Sequence, residues 1–239
     1  MFYFESKDDI KNLIPMMNSF MIYGKDSSQV NETFSSIVYL FSLGKLEKLV
    51  YPFALIKRES PDFSILCLDI SNSRGIEHTF ATLQDYKMAE SELNKLPPGS
   101  KLEPDYYSPF KKLPKEKINI GLRLPEEHLV GQGYTGDRPE YEWAEIIKNA
   151  IYNKTALLNK NHFEIFSTNE LLIEDDSPVK IMIDVVKALN YLKPHINEYF
   201  SSTFTNKFDR IHIITNNTFV YNVLSENEII KFSRDEINL

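Results

Sequence analysis

Two acids in this chain have types and spacing that suit chemistry. Glu59-Ser60-Pro61-Asp62-Phe63 puts a Pro-Asp pair at the head of one apolar run. Fifteen positions after Asp62, Glu77 sits inside the next run, Gly75-Ile76-Glu77-His78-Thr79-Phe80-Ala81. Neighbouring strands that carry one carboxylate each can bring the pair together at a sheet edge. Two converging carboxylates suit a hard divalent cation, which polarises a phosphate and lowers the pKa of bound water. The chemistry expected is metal-assisted hydrolysis of a phosphodiester. The plainer alternatives are a turn-forming Pro-Asp dipeptide for Asp62 and a solvent-facing edge carboxylate for Glu77. Against the second, Glu77 lies between Ile76 and Phe80, where an uncompensated acid is costly. Strand alternation puts Glu77 and Thr79 on one face and His78 on the other, so His78 is expected to pack rather than ligate.

Other catalytic arrangements find less support. The histidines at 78, 128, 162, 195 and 212 show no HExxH or paired metal spacing. No GxSxG elbow and no kinase-like set occurs. Gly131-Gln132-Gly133-Tyr134-Thr135-Gly136 follows no clear strand and opens no immediate helix, so it does not read as a dinucleotide fingerprint. The single cysteine, Cys67, excludes an internal disulfide and a Cys-rich zinc site. Within Ser64-Ile65-Leu66-Cys67-Leu68 it reads as a buried strand residue. Lys111-Lys112-Leu113-Pro114-Lys115-Glu116-Lys117 reads as a solvated loop, and as the best candidate for phosphate contacts if the substrate is a nucleic acid.

The elements that must position the acids follow from periodicity. Val30, Phe34, Ile37, Val38, Phe41 and Leu49 recur at helical spacing over 29–50, with Asn31 as an expected N-cap and Gly44 as a weak point. Strand-like runs follow at 52–58, 63–70 and 75–81, the last two joined by turn residues Ser71 to Gly75. A helix over 82–96 stops at Pro97-Pro98-Gly99. The pattern then dissolves over 97–139, which is long for a loop and reads as an inserted, lid-like region. A helix returns over 140–160, with Trp143 as a core anchor. A strand follows at 170–174, then a long helix over 179–200 expected to bend at Pro194. Two strands within 208–224 turn at Asn216-Asn217. Strands and helices do not alternate strictly, which disfavours a doubly wound nucleotide-binding sheet.

The chain has 239 residues, 42% hydrophobic and 13% aromatic, which suits a globular protein and argues against disorder. No run approaches the ~18 apolar residues of a membrane span. The N-terminus lacks the basic start and apolar core of a signal peptide. A cytoplasmic protein with no membrane association is expected. The net charge of -7 counts against non-specific coating of DNA, though a local basic patch can serve a nuclease.

The order helix–strand–strand–strand–helix–strand, with Pro-Asp opening the second strand and an acid in the third, resembles the PD-(D/E)XK nuclease superfamily. More narrowly, it is similar to an uncharacterised bacterial subgroup. The residues carrying the likeness are Glu59-Ser60-Pro61-Asp62-Phe63, Gly75-Ile76-Glu77-His78-Thr79, the Gly131–Asp137 turn, Trp143 through Lys154, Glu170-Leu171-Leu172-Ile173 and Phe208-Asp209-Arg210-Ile211-His212-Ile213, spanning about residues 30–224. The resemblance implies an α/β (α+β) fold with a restriction-endonuclease-like core, a mixed sheet flanked by helices, and a C-terminal helix and hairpin. It implies one nuclease-like domain over 1–239, with 97–139 inserted and 177–239 extending the core.

The resemblance also implies roles. Asp62 and Glu77 would bind Mg²⁺ or Mn²⁺. The superfamily's lysine, two positions after the second acid, is here replaced by Thr79, which brings no positive charge. Lys154 is the first candidate to supply that charge from a neighbouring helix, and Lys87 the second. Glu32 on the first helix would add an acid, and Glu59 could approach the same site. The implied partner is nucleic acid, with a protein partner or a second copy also open. The alternative is a nuclease-like domain that has lost catalysis and works as a binding or regulatory module.

Overall fold

A computed structural model describes residues 1–10, 27–160, 163–225 and 228–232. In chain order the elements are strand β1 (Phe2–Phe4), helix α1 (Ser27–Lys45), and strands β2 (Phe53–Lys57), β3 (Phe63–Cys67) and β4 (Arg74–Ala81). Helix α2 (Gln84–Leu93), the short strands β5 (Lys101–Leu102) and β6 (Leu122–Arg123), and helix α3 (Arg138–Leu158) follow. Strand β7 (Thr168–Asp175), helix α4 (Val185–Ser201), and strands β8 (Arg210–Thr215), β9 (Thr218–Tyr221) and β10 (Glu228–Lys231) complete the chain. These form two compact units. The first gathers Met1–Thr79, Ile151–Glu174 and Thr203–Leu239; the second gathers Phe80–Ala150 and Asp175–Ser202.

The first unit is built on a mixed sheet of eight strands among the described residues, in the order β1-β2-β3-β4-β7-β8-β9-β10. β1 to β4 pair antiparallel, β7 and β8 run parallel, and β8 to β10 are antiparallel again. Thr168 N–H donates to the Ser73 carbonyl and Asp176 N–H to the Ala81 carbonyl, so β4 and β7 run in the same direction. Alternation buries Phe53, Leu55, Phe63, Ile65, Ile76, Leu172 and Ile214 on one face, against Ile37, Val38, Tyr39, Leu40 and Leu43 of α1. Residues between these positions point to the other face, and Glu77 is one of them.

The strands expected at 52–58, 75–81 and 170–174 are present with small shifts of boundary. β3 ends at Cys67 because Asp69 caps a turn, accepting from Ser71 N–H, and a short 3-10 helix follows. α1 ends at Lys45 and not at 50. Glu47 takes a left-handed backbone, and Lys48 N–H reaches back to the Leu43 carbonyl, closing the helix as a Schellman-type end. α1 starts at Ser27, so Asn31 lies inside it and does not cap it. Asn216 also takes a positive φ and turns β8 into β9, as its position in the sequence suggests.

The second unit contains α2, α4, most of α3, and the segment 97–139. That segment differs from an open loop. β5 pairs with β6, and Ala89, Tyr107 and Ile118 make a small core with Tyr86, Leu102 and Leu113 around it. Tyr107 donates its hydroxyl to the Ile118 carbonyl at 2.6 Å. Gly121 fits because a Cβ there would lie 2.8 Å from the Glu103 carbonyl. Trp143 is fully buried, as expected of an anchor, and donates its indole N–H to Asp175 at 2.8 Å. Pro194 lies inside α4. Among the described residues, no helix is long and apolar enough to cross a membrane.

Candidate functional site

Asp62 is fixed at the mouth of the β2–β3 hairpin. Lys57 pairs with Phe63, and Arg58 N–H donates to the Asp62 carbonyl at 2.8 Å, closing the connection. Phe63 pairs with Ile76 on the next strand, so continuing that antiparallel register sets Asp62 opposite Glu77. The Asp62 carboxylate accepts the His78 backbone N–H at 2.7 Å. Gly75 leaves room for two rings next to this acid. A Cβ on it would stand 2.5 Å from the Phe166 ring and 3.0 Å from Pro61, so both rings pack on bare backbone beside the acid.

Glu77 is the more unusual of the two. Its side chain is only 8% exposed. Oε1 accepts from Lys154 Nζ at 2.5 Å, whereas Oε2 is buried and has no hydrogen-bond partner among the described residues. Burial pushes the Glu77 pKa up. The Lys154 hydrogen bond opposes this, the Asp62 charge adds to the rise, and the Lys154 charge and the Asp62 backbone lower it in smaller measure. Lys154 stands near the C-terminal end of α3, on the sheet face opposite α1. Thr79 is half-buried two residues beyond Glu77, on the same face by alternation.

Asp62, Glu77 and Lys154 are therefore brought together, with Thr79 alongside. Glu32 is not. It forms an ion pair with Lys57 on the α1 side of the sheet. Glu59 is exposed on the hairpin connection. Lys87 is committed elsewhere, to Asp176 at 2.5 Å and Glu90 at 2.7 Å. The His78 ring turns to the α1 face, 3.6 Å from Glu174, as alternation requires. Cys67 is half-buried at the end of β3, and burial raises its pKa, which keeps it a thiol and a poor nucleophile. His162 and residues 233–239 lie outside the described residues.

Among the described residues, no group of three or more His, Cys, Asp or Glu side chains gathers as a cation cage. Two carboxylates are still a sufficient protein share for Mg²⁺ or Mn²⁺ chemistry, because such ions keep several waters and take substrate phosphate oxygens as ligands. The buried, unpartnered Glu77 Oε2 is the atom that fits a cation best.

A second polar cluster is not evident from the spacing of the sequence. Glu170 on β7 is fully buried in the first unit. Tyr39 donates its hydroxyl to Glu170 at 2.5 Å, Arg210 donates at 2.8 Å, and His212 Nε2 lies at 2.9 Å. Arg74 stands 3.6 Å away while donating to the Lys48 carbonyl. Asn222 N–H donates to His212 Nδ1 at 3.3 Å, so the proton facing Glu170 is on Nε2. Burial alone would raise the Glu170 pKa, but the hydrogen bond from His212, the charges around it and the Tyr39 hydroxyl overcome that and lower it to about 2. In the sequence Glu170 and Arg210 show only as charged residues at the heads of apolar runs, and Arg74 as one of the turn residues before β4.

Comparison with protein-family models, with curated proteins and with solved structures gives no match.

Proposed function

We propose that this chain is a divalent-metal-dependent nuclease, hydrolysing phosphodiester bonds in DNA or RNA on a restriction-endonuclease-like core of the PD-(D/E)XK type. The observation that carries the reading is the meeting of Asp62, Glu77 and Lys154, with one Glu77 oxygen buried and unpartnered. The element order also supports it: α1, three antiparallel strands, intervening helices, then β7 alongside β4.

Asp62 and Glu77 would hold Mg²⁺ or Mn²⁺. When bound, such an ion polarises the phosphate and makes coordinated water a nucleophile near neutral pH. The chain's own groups do the rest. The His78 N–H orients the Asp62 carboxylate through Oδ2. Glu77 offers Oε2. Lys154 offsets the burial of Glu77 and would supply, as negative charge develops on a phosphate, the positive charge that Thr79 does not. Its place on a helix accounts for the absence of a lysine at position 79.

The test uses purified protein, single- and double-stranded DNA and RNA, and Mg²⁺, Mn²⁺ or chelator. Asp62→Asn and Glu77→Gln should each abolish metal-dependent cleavage, since a neutral amide is a poor ligand for a hard cation. Lys154→Ala should slow cleavage by about 100-fold or more while leaving metal affinity nearly intact. Cleavage that survives Asp62→Asn would place the chemistry elsewhere. Thr79 at the lysine position favours a second reading, a binding module without catalysis. Calorimetry showing no metal binding, together with no cleavage, would select it.

A further inference from the structure

The second unit exposes an ordered aromatic stack. Phe110 is 51% exposed and Tyr141 is 47% exposed, yet their rings stack at 5.0 Å with an 18° interplanar angle. Tyr191 meets Tyr141 edge-on at 6.0 Å. The stack is held at both ends. Phe110 sits at the tip of a tight turn in which Ser108 bridges to Lys111, and the Ser108 hydroxyl accepts the Phe110 N–H. The Tyr191 hydroxyl donates to Asp137 at 2.7 Å, and Asp137 is also bound by Lys187. Such rings hide little apolar surface from water, so packing within the unit does not explain their exposure.

Charge narrows the ligand. Lys111, Lys112, Lys115 and Lys117 are exposed, and among the described residues none pairs with a carboxylate. Four lysines against Glu116 give residues 110–117 a formal charge of +3, in a chain of net charge -7. A fixed aromatic face whose Phe110 leads in the chain directly into this run of unpaired lysines matches a polyanion that carries flat, unstacked rings. Bases in a duplex already stack on each other and cannot lie on the platform, whereas unpaired bases can.

We propose that Phe110 and Tyr141 form a stacking platform for the bases of single-stranded nucleic acid, with Lys111, Lys112, Lys115 and Lys117 along its phosphates. This rests on the nuclease reading for its role as a substrate site, and it names the substrate class as single-stranded. Lys111 to Lys117 then act with the aromatics as one surface.

The experiment is fluorescence anisotropy of the full chain with labelled oligo-dT, oligo-U and a hairpin duplex of equal length, in chelator so that cleavage plays no part. Single strands should bind more tightly than the duplex. Phe110→Ala and Tyr141→Ala should each weaken single-strand binding about 10-fold, and Phe110→Trp should retain it, which separates lost stacking from lost folding. Lys111→Ala with Lys112→Ala should flatten the dependence of log K on log salt by about 1.4, at about 0.7 for each phosphate no longer neutralised. Binding unaffected by Phe110→Ala and Tyr141→Ala, or a preference for duplex, overturns the proposal. Equal competition by polyglutamate also overturns it, because that marks a surface that reads charge alone, as for an acidic protein partner. Loss of metal-dependent cleavage is scored separately and leaves this result untouched.

Discussion

Glu77 and Glu170 are both buried acids on the same sheet, and they sit in opposite circumstances. Glu170 faces α1 and has both oxygens engaged, by Tyr39, His212 and Arg210, with Arg74 close by. Its pKa falls to about 2. Glu77 faces the other way and, among the described residues, has a single ion-pair partner in Lys154 and leaves Oε2 bare. Its pKa rises. A buried acid whose bonds are all made is part of the framework. One that keeps an oxygen unsatisfied bears a cost that the fold alone does not require, and a bound cation would relieve it.

The largest test of this contrast is stability. Glu170→Gln leaves the mostly buried Arg74 and the half-buried Arg210 without their counter-charge. It should cost about 3–5 kcal/mol, or roughly 6–20 °C of Tm at about 2–4 °C per kcal/mol. Glu77→Gln removes a charge that burial disfavours, so without metal its Tm should match or exceed that of the wild type. Thermal melts in chelator decide the matter. Equal losses in the two variants would mean that Glu77 is as structural as Glu170.

A smaller shift is expected from metal. At a concentration of Mn²⁺ about 100 times Kd, binding to the folded state stabilises by about 2.7 kcal/mol. That gain should appear in the wild type and vanish in Asp62→Asn and Glu77→Gln. A gain that persists in both would place the cation at another site.

The contrast also marks how far residues alone can be read. α1, β2 to β4, α3 and β7 show in the sequence because their apolar positions keep a period over four or more residues. β1, β5, β6 and β10 are two to four residues long and offer no period to see. Asp62 facing Glu77 is legible because a Pro-Asp pair opens one strand and an acid lies in the next. Lys154 is separated from Glu77 by the second unit's first segment, and only the resemblance pointed to it. The hold of the His78 backbone on Asp62 has no residue-type signal, since any non-proline residue offers an N–H. The Glu170 cluster draws on positions 39, 74, 170, 210 and 212. Its members meet only because β7 lies between β4 and β8, and strand order is not written in periodicity.

The finest test is pH, where the two acids should pull stability in opposite directions. Glu170 has a lowered folded pKa, so its contribution is present above the unfolded carboxylate range and is lost as pH falls toward about 2. Glu77 has a raised folded pKa, so the folded state holds its proton more tightly than the unfolded chain does. Its favourable contribution is present below the unfolded value and is lost as pH rises through the folded one. Urea midpoints of the wild type, Glu170→Gln and Glu77→Gln from pH 3 to pH 7, in chelator, separate the two. The advantage of wild type over Glu170→Gln should shrink on acidification. The standing of wild type against Glu77→Gln should instead worsen as pH rises. Saturating Mn²⁺ should reverse only the second trend, because a cation on Glu77 favours the ionised carboxylate. If both differences changed with pH in the same sense, the Lys154 ion pair would already satisfy Glu77, and the site would have no unmet charge for a metal to answer.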